Sequence, residues 1–288
     1  MPYAEPVVVA FAAVFGAMLG SFLNVCVYRL PRNESVVRPG SHCPGCGKPI
    51  AWYDNVPLVS WLLLGARCRH CGAPISAQYV LVEVAGALIW AGAVLWFGSP
   101  LAGLRPAVLA TLALGIALTD ARHYVIPDEF SLGGLGLGLA LALVPGGGMG
   151  GGGLRGLLAA AFGAAAGFSL LWVVKTAGDW ALKRGLIRGE ELAQVLEEGE
   201  RPTTLGLGDL KMMAMVGSFV GWRGVLLTAF LGSLAGVAVF LPLLLVKRKA
   251  PVPFGVFLAV GAVVTAVVGN SLIAWYGALV VRGAGMGP

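Results

Sequence analysis

Long apolar runs separated by short polar or glycine-rich breaks dominate the chain. About eight such runs stand out, near residues 6–28, 79–97, 101–119, 130–144, 154–174, 210–220, 224–246 and 254–280. Most approach the ~20 residues a helix needs to cross hydrocarbon. The fourth and sixth are shorter, which a helix inside a bundle or beside a thinned bilayer tolerates. Three breaks are distinctive. Residues 29–78 form a long polar insert, and 175–208 form a second polar loop in which 190–196 reads as a short helix. Residues 145–153 are a glycine-rich turn of flexible-linker composition. The pattern predicts an all-α polytopic membrane protein of about eight transmembrane helices. Its expected organisation is a first span over 1–28, a cytoplasmic loop over 29–78 and a helical bundle over 79–288.

Composition agrees with lipid as the main solvent. Hydrophobic residues make up 58% of the 288 and charged residues only 12%, about half the charge of a soluble domain. The 44 glycines suit close helix approach in a membrane bundle. The formal charge of +6 does not point to nucleic acid, because the basic residues cluster between apolar runs. The first six residues lack a basic n-region, so the first run is expected to be a retained span rather than a cleaved signal.

Charge placement predicts the orientation. With the N-terminus outside, the inner segments hold sixteen basic residues, among them Arg29, Arg32, Arg38, Lys48, Arg67, Arg69, Lys175, Lys211 and Lys247. Only Arg105, Arg155, Arg223 and Arg282 lie outside. The positive-inside rule then places both termini outside and the two polar loops in the cytoplasm.

The first loop carries Cys43-Pro44-Gly45-Cys46 and Cys68-Arg69-His70-Cys71, two CxxC knuckles with 21 residues between them. That spacing suits a tetrahedral four-thiolate zinc site, and Gly47 and Gly72 suit the tight turns of such knuckles. Disulfides, redox-active thiols and an iron–sulfur centre are the alternatives, disulfides being rare in the cytoplasm. A closed four-sulfur site leaves no open position, so the metal is expected to be structural. Cys26, inside the first span, reads as a packed small hydrophobe.

Carboxylates are costly in a membrane, so those near spans need a reason. Asp120 ends the third run and Asp209 begins the sixth, in Gly206-Leu207-Gly208-Asp209-Leu210-Lys211. Both are expected at the cytoplasmic face, where two carboxylates from different helices can share one proton and activate water. Gly206 and Gly208 leave room for a substrate backbone and permit unusual backbone angles. The alternative is that both are solvated helix ends. That suits Asp209 at a helix N-terminus but not Asp120 at a C-terminus. Asp128, after Pro127, competes with Asp120 but reads as a helix cap.

These residues resemble one family. Residues 20–31, Gly-Ser-Phe-Leu-Asn-Val-Cys-Val-Tyr-Arg-Leu-Pro, are similar to the opening signature of the type IV prepilin peptidases. Residues 52–61 and the second knuckle, 67–76, resemble further family segments. Thr119-Asp120 with Val125-Ile126-Pro127-Asp128, and residues 206–211, resemble the two catalytic motifs. The resemblance implies a membrane aspartic peptidase of the bacterial inner membrane. Such enzymes remove the basic leader of prepilins or pseudopilins, and many then N-methylate the new terminus with S-adenosylmethionine. By motif position Asp120 and Asp209 would be catalytic, with Gly206, Gly208 and Lys211 on the substrate approach. Cys43, Cys46, Cys68 and Cys71 would hold zinc. Glu83, at the start of the second span, would contact the cofactor or substrate amine, or else pair with a basic loop residue. No glycine-rich dinucleotide fold signature is present for S-adenosylmethionine. The acidic run Glu190, Glu191, Glu197, Glu198 and Glu200 would either attract a basic leader or form a solvated face. Competing readings are a peptidase without methyl transfer, a transporter with boundary carboxylates, and an inactive assembly factor.

Overall fold

The computed structural model describes residues 5–145, 151–186, 203–245 and 253–283. The expected helix at 190–196, the acidic run and most of the glycine-rich turn lie outside the described residues. The described elements are helical: α1 (Pro6–Arg29), α2 (Val59–Leu63), α3 (Ala77–Phe97), α4 (Pro100–His123), α5 (Asp128–Ala142), α6 (Gly153–Lys183), α7 (Leu207–Leu245) and α8 (Phe254–Gly283). Helices satisfy their own backbone polar groups, which a chain in hydrocarbon requires. Among the described residues, the extended pairing consists of two isolated bridges, His42 with Pro49 and Arg67 with Pro74.

The chain forms two compact units, residues 1–111 and 112–288. In the first, α1 and α3 pack antiparallel through their glycines. A Cβ at Gly16 would stand 2.2 Å from the Gly86 carbonyl oxygen, and one at Gly20 would stand 2.6 Å from that of Val82. Backbones this close accept only glycine. Pro6 opens α1, where a missing N–H costs nothing. The Ser76 hydroxyl caps α3 by accepting from the Gln78 N–H.

In the second unit the first limb of α7 is the central element. Gly217 packs on Gly163 and Met213 on Gly167 of α6, while Met215 and Ser218 fill the spaces left by Gly134 and Gly138 of α5. Leu210, Met212, Met213, Met215 and Val216 are fully buried. At Gly221 the backbone leaves helical geometry with φ 71 and ψ 174. Beyond it Gly232 packs on Phe257 and Leu258 of α8, and the Thr228 hydroxyl donates to Thr265 Oγ1 at 3.1 Å. The first limb is antiparallel to α6, the second is antiparallel to α8, and α8 starts beside the residues that flank the start of α7. The chain therefore turns back at Gly221.

Six described helices are long and apolar enough to cross a membrane, rather than the expected eight. One difference is α5, which has only 15 residues. The other is α7, where the expected sixth and seventh spans join into one element through Gly221. The chain is a multi-pass membrane protein.

Candidate functional site: paired carboxylates and a four-thiolate cluster

Asp120 lies in the last turn of α4 and is buried. A carboxylate there faces the negative end of its own helix dipole. The structure offsets this with the first turn of α8, whose N–H groups have no partner within that helix. The Val256 N–H donates to Asp120 Oδ2 at 3.2 Å. Gly255 makes the approach possible, because a Cβ there would stand 2.8 Å from that oxygen and 3.0 Å from Ile126 Cδ1.

The chain leaves α4 through Tyr124, which adopts φ 52, and enters α5 after Pro127. Asp128 is thus the first helical residue and not the cap, which is Pro127. Its carboxylate instead takes both bonds of the Lys211 ammonium, at 2.7 and 2.8 Å. Lys211 therefore ties the start of α7 to the start of α5.

Asp209 lies in the first turn of α7, half-buried, within reach of the charge of Asp120. Ile126 neighbours both segments: its Cβ would be 3.1 Å from a Cβ at Gly208, and its Cδ1 would be 3.0 Å from a Cβ at Gly255. Gly208 is thus needed for room against Ile126. Its φ is not positive and neither is that of Gly206, so the expected use of these glycines for unusual backbone angles does not hold. A Cβ at Gly206 would meet only ordinary contacts, the nearest being Asp209 Oδ2 at 3.4 Å.

A second clasp holds the segment entering α7. The Thr204 N–H and hydroxyl donate to Asp179 Oδ1 at 2.9 and 3.0 Å, while Lys175 pairs with Asp179 Oδ2 at 3.1 Å. Gly178 admits Thr204, whose Oγ1 would lie 2.6 Å from a Cβ there. Gly255, Asp179 and Thr204 escaped the sequence reading, and Ile126 entered it only as part of a motif. Each acts on a partner distant in sequence, and no local spacing marks them.

In the first unit Cys43, Cys46, Cys68 and Cys71 bring their sulfurs within 4.8 Å of one another. All five cysteines are free thiols, and Cys43 and Cys71 sulfurs are 3.8 Å apart. Metal–sulfur bonds of ~2.3 Å in a tetrahedron give an edge of about that length, so the four sulfurs fit one metal ion. Both knuckles close identically. The Gly47 N–H donates to the Cys43 carbonyl at 2.8 Å and the Gly72 N–H to the Cys68 carbonyl at 2.9 Å, with positive φ at both glycines. The backbone N–H groups of Cys71 and His70 hold the Cys68 thiol low, at about 6. Cys71 accepts the Ala73 N–H, but desolvation and the neighbouring sulfurs outweigh it and hold its thiol up at about 11. Arg69 makes a bidentate pair with Asp54 at 2.8 and 2.6 Å, which holds the Asp54 carboxyl below the ordinary value.

Glu83 is buried, and its Oε2 accepts the Leu58 N–H at 2.8 Å. It anchors the loop to α3 through backbone rather than through a basic side chain. Arg29, also buried, holds the start of the insert by donating to the carbonyls of Ser35 and Gly40 at 3.0 and 3.3 Å.

Fold and site together define a polytopic helical membrane protein with carboxylates at two helix ends and a four-thiolate cluster. Residues 14–97 match the bacterial peptidase A24 N-terminal domain, and 107–241 match the type IV leader peptidase family. Similar proteins include one named prepilin leader peptidase/N-methyltransferase from Myxococcus xanthus, 35% identical over 86% of this chain and 67% of the relative. Proteins of the same name from Aeromonas hydrophila (32% identical) and Pseudomonas aeruginosa (33% identical) are matched over 91% of both chains. No solved structure gives a significant match. The chain belongs to the type IV leader peptidase family and is a membrane peptidase.

Proposed function

We propose that the protein cleaves the basic leader from type IV prepilins or pseudopilins with Asp120 and Asp209, then N-methylates the new terminus. The observation that carries the reading is that Asp120 and Asp209 each lie at a helix end, on segments that both pack near Ile126. A transporter places its carboxylates near the midplane, often on broken helices.

In the proposed mechanism one carboxylate takes a proton from water while the protonated partner polarises the scissile carbonyl. Water oxygen bonds to the carbonyl carbon, the C–N bond breaks, and the departing amine takes up a proton. The roles belong to the pair, so neither aspartate is assigned permanently as acid or base. The Val256 N–H fixes one oxygen of Asp120. Gly206 lies open beside Asp209, on the side where a substrate backbone would approach. Lys211 acts through Asp128, holding the ends of α5 and α7 together.

A prepilin leader is basic and its following segment apolar, so its scissile bond would lie at the cytoplasmic boundary of the inner membrane. Eight crossings, counting α5 and each limb of α7, put the starts of α5, α7 and α8 at that face. S-adenosylmethionine is the methyl donor in this reading, and the amine must reach it deprotonated, against a free α-amine pKa of about 8. The thiolate cluster would take zinc, with a structural role. Cys43, Cys46, Cys68 and Cys71 would hold it and so order the insert.

The test is a reconstituted reaction of the purified chain with a prepilin and isotopically labelled S-adenosylmethionine, read by intact mass. Loss of the leader with gain of one labelled methyl is expected, and both Asp120→Asn and Asp209→Asn should retain the fold and lose cleavage. Cleavage without label would leave the peptidase alone. Cleavage that survives either substitution would overturn the pair.

A further inference from the structure

The insert between α1 and α3 contains an apolar stretch that its polar character conceals. Residues 56–64, Val-Pro-Leu-Val-Ser-Trp-Leu-Leu-Leu, hold one hydroxyl and no charge. Within it α2 is inverted relative to a helix on a soluble domain. Ser60 faces inward, donating to the Tyr53 carbonyl at 3.0 Å, and the Trp61 indole N–H donates to the Ile75 carbonyl at 3.3 Å. Val59, Leu62 and Leu63 face outward, 50%, 70% and 80% exposed. Their i, i+3, i+4 spacing makes them one continuous apolar face.

The depth of this face follows from the anchor beside it. The Leu58 N–H bonds to Glu83, six residues into α3. At 1.5 Å per residue that is about 9 Å below the start of the helix, less the reach of a side chain leaning back toward it. Glu83 in turn packs against Gly20 of α1, nine residues before the basic end at Arg29. At this level the neighbouring helix surfaces are lipid-facing, with Phe22, Leu81 and Val84 exposed. The start of α2 thus lies level with the apolar surface of two spans and continues it.

We propose that the Val59, Leu62 and Leu63 face of α2 is seated in the membrane at the boundary of headgroups and acyl chains. The insert is then a membrane-associated segment and not a domain free in the cytoplasm. The occupant is phospholipid, with acyl chains against the leucines. Residues 29–78 carry six basic and two acidic side chains, which favours anionic headgroups around it.

The test places the photo-crosslinker p-benzoylphenylalanine at Leu62 or Leu63 of the full chain. The protein is held in vesicles of phosphatidylethanolamine and phosphatidylglycerol, and bound metal is measured to confirm the fold. Leu88, exposed in the middle of α3, is the lipid-facing control, and Lys48 is the control in the insert. Phospholipid adducts at 62 and 63 are expected at the Leu88 level and several-fold above Lys48. Hydroxyl-radical footprinting of the unmodified chain gives an independent reading, in which Leu62 and Leu63 should label several-fold less than the equally exposed Val37. Adducts no higher than at Lys48, or labelling equal to Val37, would overturn the proposal. Adducts mainly with peptides from 112–288, or with added prepilin only, would assign the face to protein and overturn it equally.

Discussion

Asp120 ends a helix, where its charge is unfavourable, and a second helix start answers it. The arrangement depends on Gly255, so the cheapest disturbance is a methyl group. Gly255→Ala would set a Cβ 2.8 Å from Asp120 Oδ2, displacing the carboxylate or breaking its bond to Val256. Misplacement of a reacting group by about 1 Å costs up to ~100-fold, so the expected result is a fall in kcat of about ten- to a hundredfold with KM less affected. Gly133→Ala, whose added Cβ meets nothing within 4 Å, should change kcat little; steady-state leader cleavage compares the two. Asp120 and Asp209 were legible in the sequence because boundary carboxylates are conspicuous. Gly255 and Val256 were not, since their partner lies 135 or more residues away and a glycine in a glycine-rich chain carries no signal. Outside the membrane, the Asp54–Arg69 pair has a definite pH signature. A carboxyl held below its unfolded value contributes stability that is fully present above about pH 4 and is lost as pH falls through the folded value. The Arg69 side chain is 52% exposed, so the effect is screened and small. In hydrogen exchange of metal-free protein, Asp54→Asn should raise the opening of residues 48–75 slightly at neutral pH and make no difference at acid pH, where the pair is already lost.

At the scale of elements, glycine separates into two kinds that composition cannot distinguish. Gly217 is a packing glycine, since a Cβ there would lie 2.0 Å from the Gly163 carbonyl oxygen. Gly133 has nothing within 4 Å of that position. Gly217→Ala must push α7 from α6 and is expected to cost about 1–3 kcal/mol, the usual penalty of overpacking. Gly133→Ala only restricts the unfolded backbone and should be neutral or stabilising by up to ~1 kcal/mol. Thermal unfolding in one detergent measures both, and equal shifts would contradict the packing described here. The apolar runs located nearly every long helix. The count differed because Gly221 joins two runs into one element while reversing the chain, and because α5 is short. Both are consequences of backbone geometry and length in a packed bundle, which an apolar pattern does not encode. The reading of 29–78 as uniformly polar likewise averaged over the stretch at 56–64.

At the scale of the whole molecule the insert and the long helices have different sources of order. The long helices of both units are held by glycine-mediated contact, whereas residues 41–75 have short helical turns, isolated bridges and the four sulfurs. Metal should therefore govern the insert and not the bundle of 112–288. Metal binding requires thiolates and so competes with protons. Cys68, at about 6, is already largely ionised at neutral pH, whereas Cys71, at about 11, must release a proton to the solvent. Affinity is thus expected to rise with pH across the neutral range and to fall more steeply below about pH 6, where Cys68 too becomes protonated. The full chain should hold one zinc, and Cys46→Ser or Cys71→Ser should lower its affinity by about tenfold or more, as loss of a ligand does at structural sites. Hydrogen exchange of loaded and chelator-stripped protein reads the consequence. Residues 41–75 should open on stripping, while the amides of α5, α6 and the first limb of α7 keep their protection. Loss of protection in both units together would mean that the metal orders the bundle as well, and that the thiolate cluster is part of its fold rather than a local staple.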